Sequence, residues 1–166
     1  MNSSNASTMA ASIGFCGLVL TLALPAPRLA LAQEGSAIAT ADAQTPGIRA
    51  EVRELKRSSS GILTLKFAIV NDMDQKYGAD KCDFRETGNE ECGPISGVYL
   101  VDTANKKKYP VVRDAEGKCV CAEIQGIPPK SGLNLWAKFP APPEDVKAVT
   151  VVIPNFMAMD DVPISQ

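Results

Sequence analysis

The chain has 166 residues, a formal net charge of −2, five cysteines and no histidine. That length suits one domain behind a leader, and the acidic balance argues against sequence-independent nucleic-acid binding, which needs a basic face. Without histidine the commonest acid–base catalyst is missing; serine nucleophiles have no histidine partner and no glycine-rich phosphate cradle occurs, so neither enzymatic activity nor a cofactor is expected.

Residues 1–32 have the anatomy of a cleaved signal peptide. An apolar run from Ile13 to Leu24 is broken by Pro25 and Pro27, and Ala30-Leu31-Ala32 is a small-residue cleavage pattern. The run is shorter than the roughly 20 residues that span a bilayer, so no membrane span is expected after cleavage. Cys16 lies inside the run and leaves with it. Cleavage before Gln33 leaves 16 basic and 19 acidic side chains. The protein is therefore expected to be exported, to the periplasm or the medium. Residues 33–47, rich in Ala, Gly, Ser and Thr without apolar period, read as a flexible tether.

From Ile48 onward the pattern has period two. Weaker strands are expected at 48–56, 108–113 and 119–124, and clear ones around Leu63–Ile69, Gly97–Asp102, Leu133–Phe139 and Val146–Ile153. Leu65, Phe67, Leu100, Leu135 and Val151 should point inward. Ser58–Gly61, Asp102–Lys107, Asp114–Gly117 and Pro128–Gly132 read as turns. Lys106-Lys107-Lys108, the one basic cluster, reads as a solvated hairpin tip. Pro140-Ala141-Pro142-Pro143 cannot pair in a central sheet and forms a stiff crossover, with a helical turn at Pro142–Val146. About seven short strands with frequent turns indicate an all-β, antiparallel immunoglobulin-like sandwich over 48–166; a barrel is the alternative.

The stretches Gly97-Val-Tyr-Leu-Val-Asp102, Lys107-Lys-Tyr-Pro-Val111, Lys118-Cys-Val-Cys121, Leu135-Trp-Ala-Lys-Phe-Pro-Ala-Pro-Pro143, Val149-Thr-Val-Val-Ile-Pro154 and Asp160-Asp-Val-Pro-Ile164 occur in that order. Together they resemble the secreted immunoglobulin-like β-sandwich module of bacterial envelope proteins, in some of which it precedes a peptidoglycan-binding domain like that of outer-membrane protein A. The resemblance implies a fold and no catalytic residues. This sequence stops at Gln166, where such a domain would begin, and it carries a polar insert at 71–94.

Cys82, Cys92, Cys119 and Cys121 form an even set, which in an oxidising compartment favours two disulfides. Three connectivities are open. Cys82–Cys92 with Cys119–Cys121 is preferred, and a cross-pairing such as Cys82–Cys119 would pin the insert to the sheet. The first bridge would contribute about 2.8 kcal/mol by loop-closure entropy. The second needs a bulge or bend at Val120, since residues two apart on a strand are roughly 6.6 Å apart, and strain would make it the more reducible.

The insert supplies a recognition loop of Asp72, Asp74, Tyr77, Asp80, Asp83, Phe84, Arg85 and Glu86, because long loops on rigid sandwiches carry function. No EF-hand spacing is present: counted from Asp72, the sixth and twelfth positions hold Tyr77 and Asp83. Trp136, the only tryptophan, faces away from Leu133 and Leu135; inter-sheet core is favoured over an exposed contact. The expected function is an exported, non-enzymatic binding or structural module of the bacterial cell envelope, monomeric, with an unknown protein or envelope component as partner and no nucleic acid. The alternative is a periplasmic soft-metal or thiol-redox accessory protein using Cys119 and Cys121, with Met157 and Met159 as thioether donors.

Overall fold

The computed structural model describes residues 36–78, 84, 94–124 and 126–166. The expected signal peptide and the Cys82–Cys92 pair lie outside them. Eight strands run in the order β1 (Ala39–Asp42), β2 (Ile48–Arg57), β3 (Ile62–Asn71), β4 (Tyr99–Asp102), β5 (Lys107–Pro110), β6 (Ser131–Pro140), β7 (Ala148–Val152) and β8 (Met159–Pro163). They form two antiparallel four-stranded sheets, β1-β2-β3-β6 and β5-β4-β7-β8, around one apolar core. No helix occurs among the described residues. The segment expected to be a helical turn, Pro142–Val146, makes a single hydrogen-bonded turn, Val146 N–H to Pro143 O at 3.1 Å.

The long strands form where β-branched and aromatic residues alternate with polar ones. In β3 the side chains of Leu63, Leu65, Phe67 and Ile69 are buried while Thr64, Lys66 and Val70 are not. The β2–β3 hairpin closes over Ser58–Gly61: the Ser58 N–H donates to Ile62 O at 2.9 Å, and Gly61 has φ 74°, a left-handed conformation that glycine adopts without Cβ strain. Pairing of β2 with β3 skips Arg53, with Val52 opposite Phe67 and Glu54 opposite Lys66. This β-bulge switches the inward set from even to odd numbers, so that Ile48, Ala50 and Val52 are followed by Leu55. β7 is buried on both faces across Val149, Thr150 and Val151; Thr150 keeps its hydroxyl satisfied by donating to Asp160 Oδ1 at 2.7 Å.

The edges of the two sheets meet at two corners. At one, the Val112 N–H donates to Lys138 O at 2.8 Å; at the other, the Gln44 N–H donates to Asn155 O at 2.9 Å and the Met157 N–H to Asp42 O at 3.1 Å. Bonds between edges satisfy backbone groups that would otherwise template aggregation. The crossover after β6 is held from below, because Arg57 donates to the carbonyls of Pro142 at 2.6 Å, Pro143 at 3.3 Å and Val146 at 3.4 Å.

Three expectations need correction. The tether at 33–47 gives way to β1, whose Ala39–Asp42 pair with Val52–Arg49 and whose Ala41 is buried; small residues fit a short strand laid close against its neighbour. The strand expected at 119–124 contributes only isolated bridges, Arg113 with Cys119, Cys121 with Ala137, and Pro94 with Glu123. The expected strands do not include β8, whose pattern is hidden because only Met159 and Val162 of its five residues are buried.

Leu65, Phe67, Leu100, Leu135 and Val151 are all buried, in agreement with the alternation. Leu65→Ala or Phe67→Ala is expected to cost about 2–5 kcal/mol. A urea denaturation midpoint that hardly moved for either variant would contradict this core.

Candidate functional site

The insert expected to form the recognition loop divides between surface and core. Asp72 and Asp74 are exposed: the Asp72 carboxylate accepts from Arg49, and Lys130 Nζ lies 3.1 Å from Asp74 Oδ1. Tyr77 and Phe84 are buried instead, Phe84 to 1% exposure. The Phe84 ring meets Tyr77 edge-on at 6.5 Å and the tilted ring of Phe156 at 6.1 Å, and its carbonyl accepts from the Gly97 N–H at 2.8 Å. Aromatic pairs at these separations are favourable beyond their buried area. These two side chains are therefore core, which corrects their assignment to a binding surface. Asp80, Asp83, Arg85 and Glu86, with Cys82 and Cys92, fall outside the described residues.

The base of the insert is anchored by a fully buried Asn71. Its Nδ2 donates to the carbonyls of Gln75 at 2.8 Å, Ile127 at 3.0 Å and Pro128 at 3.0 Å, and its Oδ1 accepts from the Met73 N–H at 3.0 Å. A buried amide is tolerated when its polar atoms are satisfied in this way. The chain leaving β3 is thereby locked to the loop that precedes β6.

A different surface has the shape of a binding face. Trp136 is 41% exposed, on the outer side of the β1-β2-β3-β6 sheet. The expectation that it is core is corrected by its register: it lies opposite Lys66 and shares the outer face with Asn134 and Lys138. Along this face runs a shallow hollow of about 620 Å³ bounded by Arg53, Thr64, Lys66, Asn134, Trp136 and Lys138. Every charged residue on its wall is cationic. Lys66 is paired with Glu54 at 2.7 Å and Arg53 with Glu51, while Lys138 makes no ion pair among the described residues. Glu51 also accepts from Arg49 at 2.8 Å, and this contact with the neighbouring Asp72 raises the Arg49 pKa above its already high ordinary value. The sequence signal for this face was present in the Asn134–Trp136–Lys138 phase, where a tryptophan shares the polar side of a strand.

Cys119 and Cys121 are joined in a disulfide with Cα atoms 5.3 Å apart. That is shorter than the roughly 6.6 Å of an extended pair, and the expected bend lies at Val120. A bridge closing three residues contributes only about 1.6 kcal/mol by loop-closure entropy. Both cysteines are half-buried and open on a hollow of about 380 Å³ lined with Pro94, Arg113, Glu116, Gly117, Lys118 and Glu123. The soft-metal set is not assembled. Cys121 bridges β6 through Ala137, whereas the Met157 N–H bonds to β1 at Asp42. β6 and β1 are opposite edges of one four-stranded sheet, three strand spacings or about 14 Å apart. Met159 is buried in the core and Met157 is 71% exposed.

The lysine run sits at the β4–β5 hairpin. Lys107 lies 5.0 Å above the Tyr109 ring and Lys108 3.9 Å above that of Tyr99, so two of the three cations rest on aromatic faces. Burial raises the Tyr109 pKa and keeps its ring neutral. Asp102 caps the turn: Oδ2 accepts from Asn105 Nδ2 at 2.7 Å and Oδ1 from the Asn105 N–H at 3.0 Å. The side-chain bond, then the backbone bond, lowers the Asp102 pKa below the ordinary carboxylate range.

No protein-family model, curated protein or solved structure matches this chain.

Two outcomes follow from the local chemistry. A carboxylate whose folded pKa is depressed adds stability above its unfolded pKa and loses it as pH falls through the folded value. Asp102→Asn is thus expected to be less stable than the parent at neutral pH and to lose less stability on acidification below about pH 4; parallel stability–pH curves would contradict this. Asn71→Ala is expected to cost about 1–3 kcal/mol by leaving buried carbonyls unpaired. Asn71→Asp, which loses the amide donors and must either bury a charge against these carbonyls or hold a proton, is also expected to be destabilised, as read from thermal midpoints.

Proposed function

We propose that the protein is an exported, non-catalytic binding module of the bacterial cell envelope. In this reading it is built on an immunoglobulin-like sandwich and acts as a monomer in the periplasm or outside the cell. It binds through the outer face of the β1-β2-β3-β6 sheet. The observation that carries the reading is Trp136, held 41% exposed beside a hollow whose charged wall residues, Arg53, Lys66 and Lys138, are all cationic.

Tryptophan and arginine are the side chains most enriched at binding hot spots, because a large ring gains much from desolvation and cations add orientation. The wall is cationic on a chain whose net charge is −2. Complementarity therefore selects a partner that presents carboxylates beside an apolar surface. The signal-peptide pattern of residues 1–32 supports a partner in the envelope or outside the cell, and the missing histidine supports binding rather than turnover. The pairing of Arg53 and Lys66 with glutamates limits the field, and Lys138, which makes no ion pair among the described residues, is placed to meet a partner's acid group. Asp72 and Asp74 stand at the far end of the same sheet, beyond Arg49, and bound the face with opposite charge.

Trp136 is the only tryptophan, so its emission reports directly on this face. Titration with washed envelope fragments is expected to shift that emission, with suppression by salt because the charges are exposed. Trp136→Ala is expected to weaken retention on the fragments about tenfold or more, in keeping with a hot-spot residue, and to leave the thermal midpoint nearly unchanged. Lys138→Glu should weaken retention as well. Undiminished retention of both variants would overturn the assignment of this face.

A further inference from the structure

We infer that the Cys119–Cys121 disulfide is an exchangeable redox pair that takes two electrons from a dithiol, and is not a bond on which the fold depends. The inference concerns a different element from the Trp136 face and stands independently of it.

The first ground is redundancy. The segment bearing the pair is already fixed on both sides by backbone hydrogen bonds: the Val120 N–H donates to Val112 O at 2.8 Å, the Lys138 N–H to Val120 O at 3.1 Å, and the Ala122 N–H to Trp136 O at 2.7 Å. Bridges at Arg113–Cys119 and Cys121–Ala137 flank these bonds. A cross-link between residues two apart restricts the unfolded chain very little, so neither the folded nor the unfolded state gains much from it.

Access is the second ground. Both cysteines are half-buried and line a hollow of about 380 Å³, room for an incoming thiol. Exposed disulfides are the labile and catalytic ones, in contrast to those enclosed in cores.

The third ground is electrostatic asymmetry. Cys119 follows Lys118 in sequence and lies opposite Arg113, whose guanidinium donates to Gly117 O at 2.9 Å and so is held at this turn. Cys121 has Val120 and Ala122 as neighbours in sequence and Ala137 opposite. Glu116 and Glu123 also line the hollow, the first on the turn and the second beyond Cys121. Cations lower a thiol's pKa, and the sulfur with the lower pKa leaves faster. Attack is therefore directed to Cys121, with Cys119 as leaving group.

The chemistry balances as follows. A thiolate of the donor attacks Cys121 Sγ; a donor–Cys121 bond forms as the Cys119–Cys121 bond breaks, and Cys119 departs as thiolate. The donor's second thiolate then attacks its own sulfur in the mixed disulfide and releases Cys121. The donor is oxidised to a disulfide, Cys119 and Cys121 are reduced, and the two protons of the donor thiols end on the pair or in solvent. When a donor has only one thiol, Cys119, two residues away, reverses the first step and prevents a dead-end adduct.

The test uses the full chain and glutathione as probe. Trypsin cleavage after Lys118 and Lys130 isolates a peptide holding Cys119 and Cys121 and neither Cys82 nor Cys92. Native protein is equilibrated in glutathione redox buffers, acid-quenched, alkylated and digested. Double alkylation of that peptide is expected while tryptophan emission and cooperative unfolding persist, with re-closure in oxidised glutathione. Cys119→Ser is expected to accumulate a glutathione adduct on Cys121 at least tenfold above the parent, and Cys121→Ser a smaller one on Cys119. With dithiothreitol as the dithiol, the parent should release oxidised dithiothreitol in one-to-one yield with the total of disulfides reduced, the share of Cys119–Cys121 being counted on that peptide. A pair that stays closed until denaturant is added would overturn the inference, as would a Cys119→Ser/Cys121→Ser variant that no longer unfolds cooperatively.

Discussion

The architecture depends on one uninterrupted pairing, that of β3 with β6. It runs without a bulge from Ile62 opposite Pro140 to Asn71 opposite Ser131. Side chains alternate with period two, so this register commits every residue of both strands to one face. Leu65, Phe67, Leu135, Ala137 and Phe139 go to the core together, and Thr64, Lys66, Asn134, Trp136 and Lys138 go out together. A slip of either strand by one residue would bury its lysine and expose its phenylalanine together with the rest of its inward apolar set, at a large cost. The core and the Trp136 face are thus two sides of a single constraint. The bulge at Arg53 belongs to β2, where the phase changes without disturbing the central pair.

The same strand would present an open edge, because β6 ends its sheet. The chain covers that edge with Val112 and Val120, which bond to Lys138 from both directions, and with Ala122, which bonds to Trp136 O. This cover is irregular, and the disulfide-bearing bend lies within it. An edge closed by a regular strand would have left no room for a hollow beside Cys119 and Cys121. At the other end of the sheet β1 makes the equivalent closure against residues 155–157. The short, small-residue strand there lies close enough to its neighbour for Ala41 to be buried.

Legibility from sequence followed how strongly each segment alternates. β3 alternates over Leu63–Phe67 and β6 over Leu133–Phe139, which makes their inward residues readable; β7 reads as a strand buried on both faces. β2 reads weakly because the bulge at Arg53 breaks its phase halfway, a local event that turn and propensity rules do not encode. β1 was hidden because Ala-Thr-Ala-Asp has the composition of a linker, and only pairing with Arg49–Val52 makes it a strand. β8 lacks alternation, since Asp160 and Asp161 are adjacent and exposed, with Asp161 at φ 53°. Tyr77 and Phe84 read as surface residues because the residues around them are polar. Their burial depends on Phe156, 72 positions beyond Phe84 in the chain, which no local pattern reveals.

Trp136 illustrates how two sound rules can conflict. Residue type argues for burial, and strand phase argues for exposure beside Asn134 and Lys138. Phase prevails because it is set by ten paired positions at once, whereas the preference of one indole, about 150–250 Å² at about 25 cal/mol per Å², is worth about 4–6 kcal/mol. A residue overruled in this way retains unsatisfied apolar area at the surface. When that area borders a hollow walled by cations, in a chain that is acidic overall, the retained surface is available for binding. The physical argument for function therefore comes from a position where composition and register disagree, on a strand whose other residues follow both.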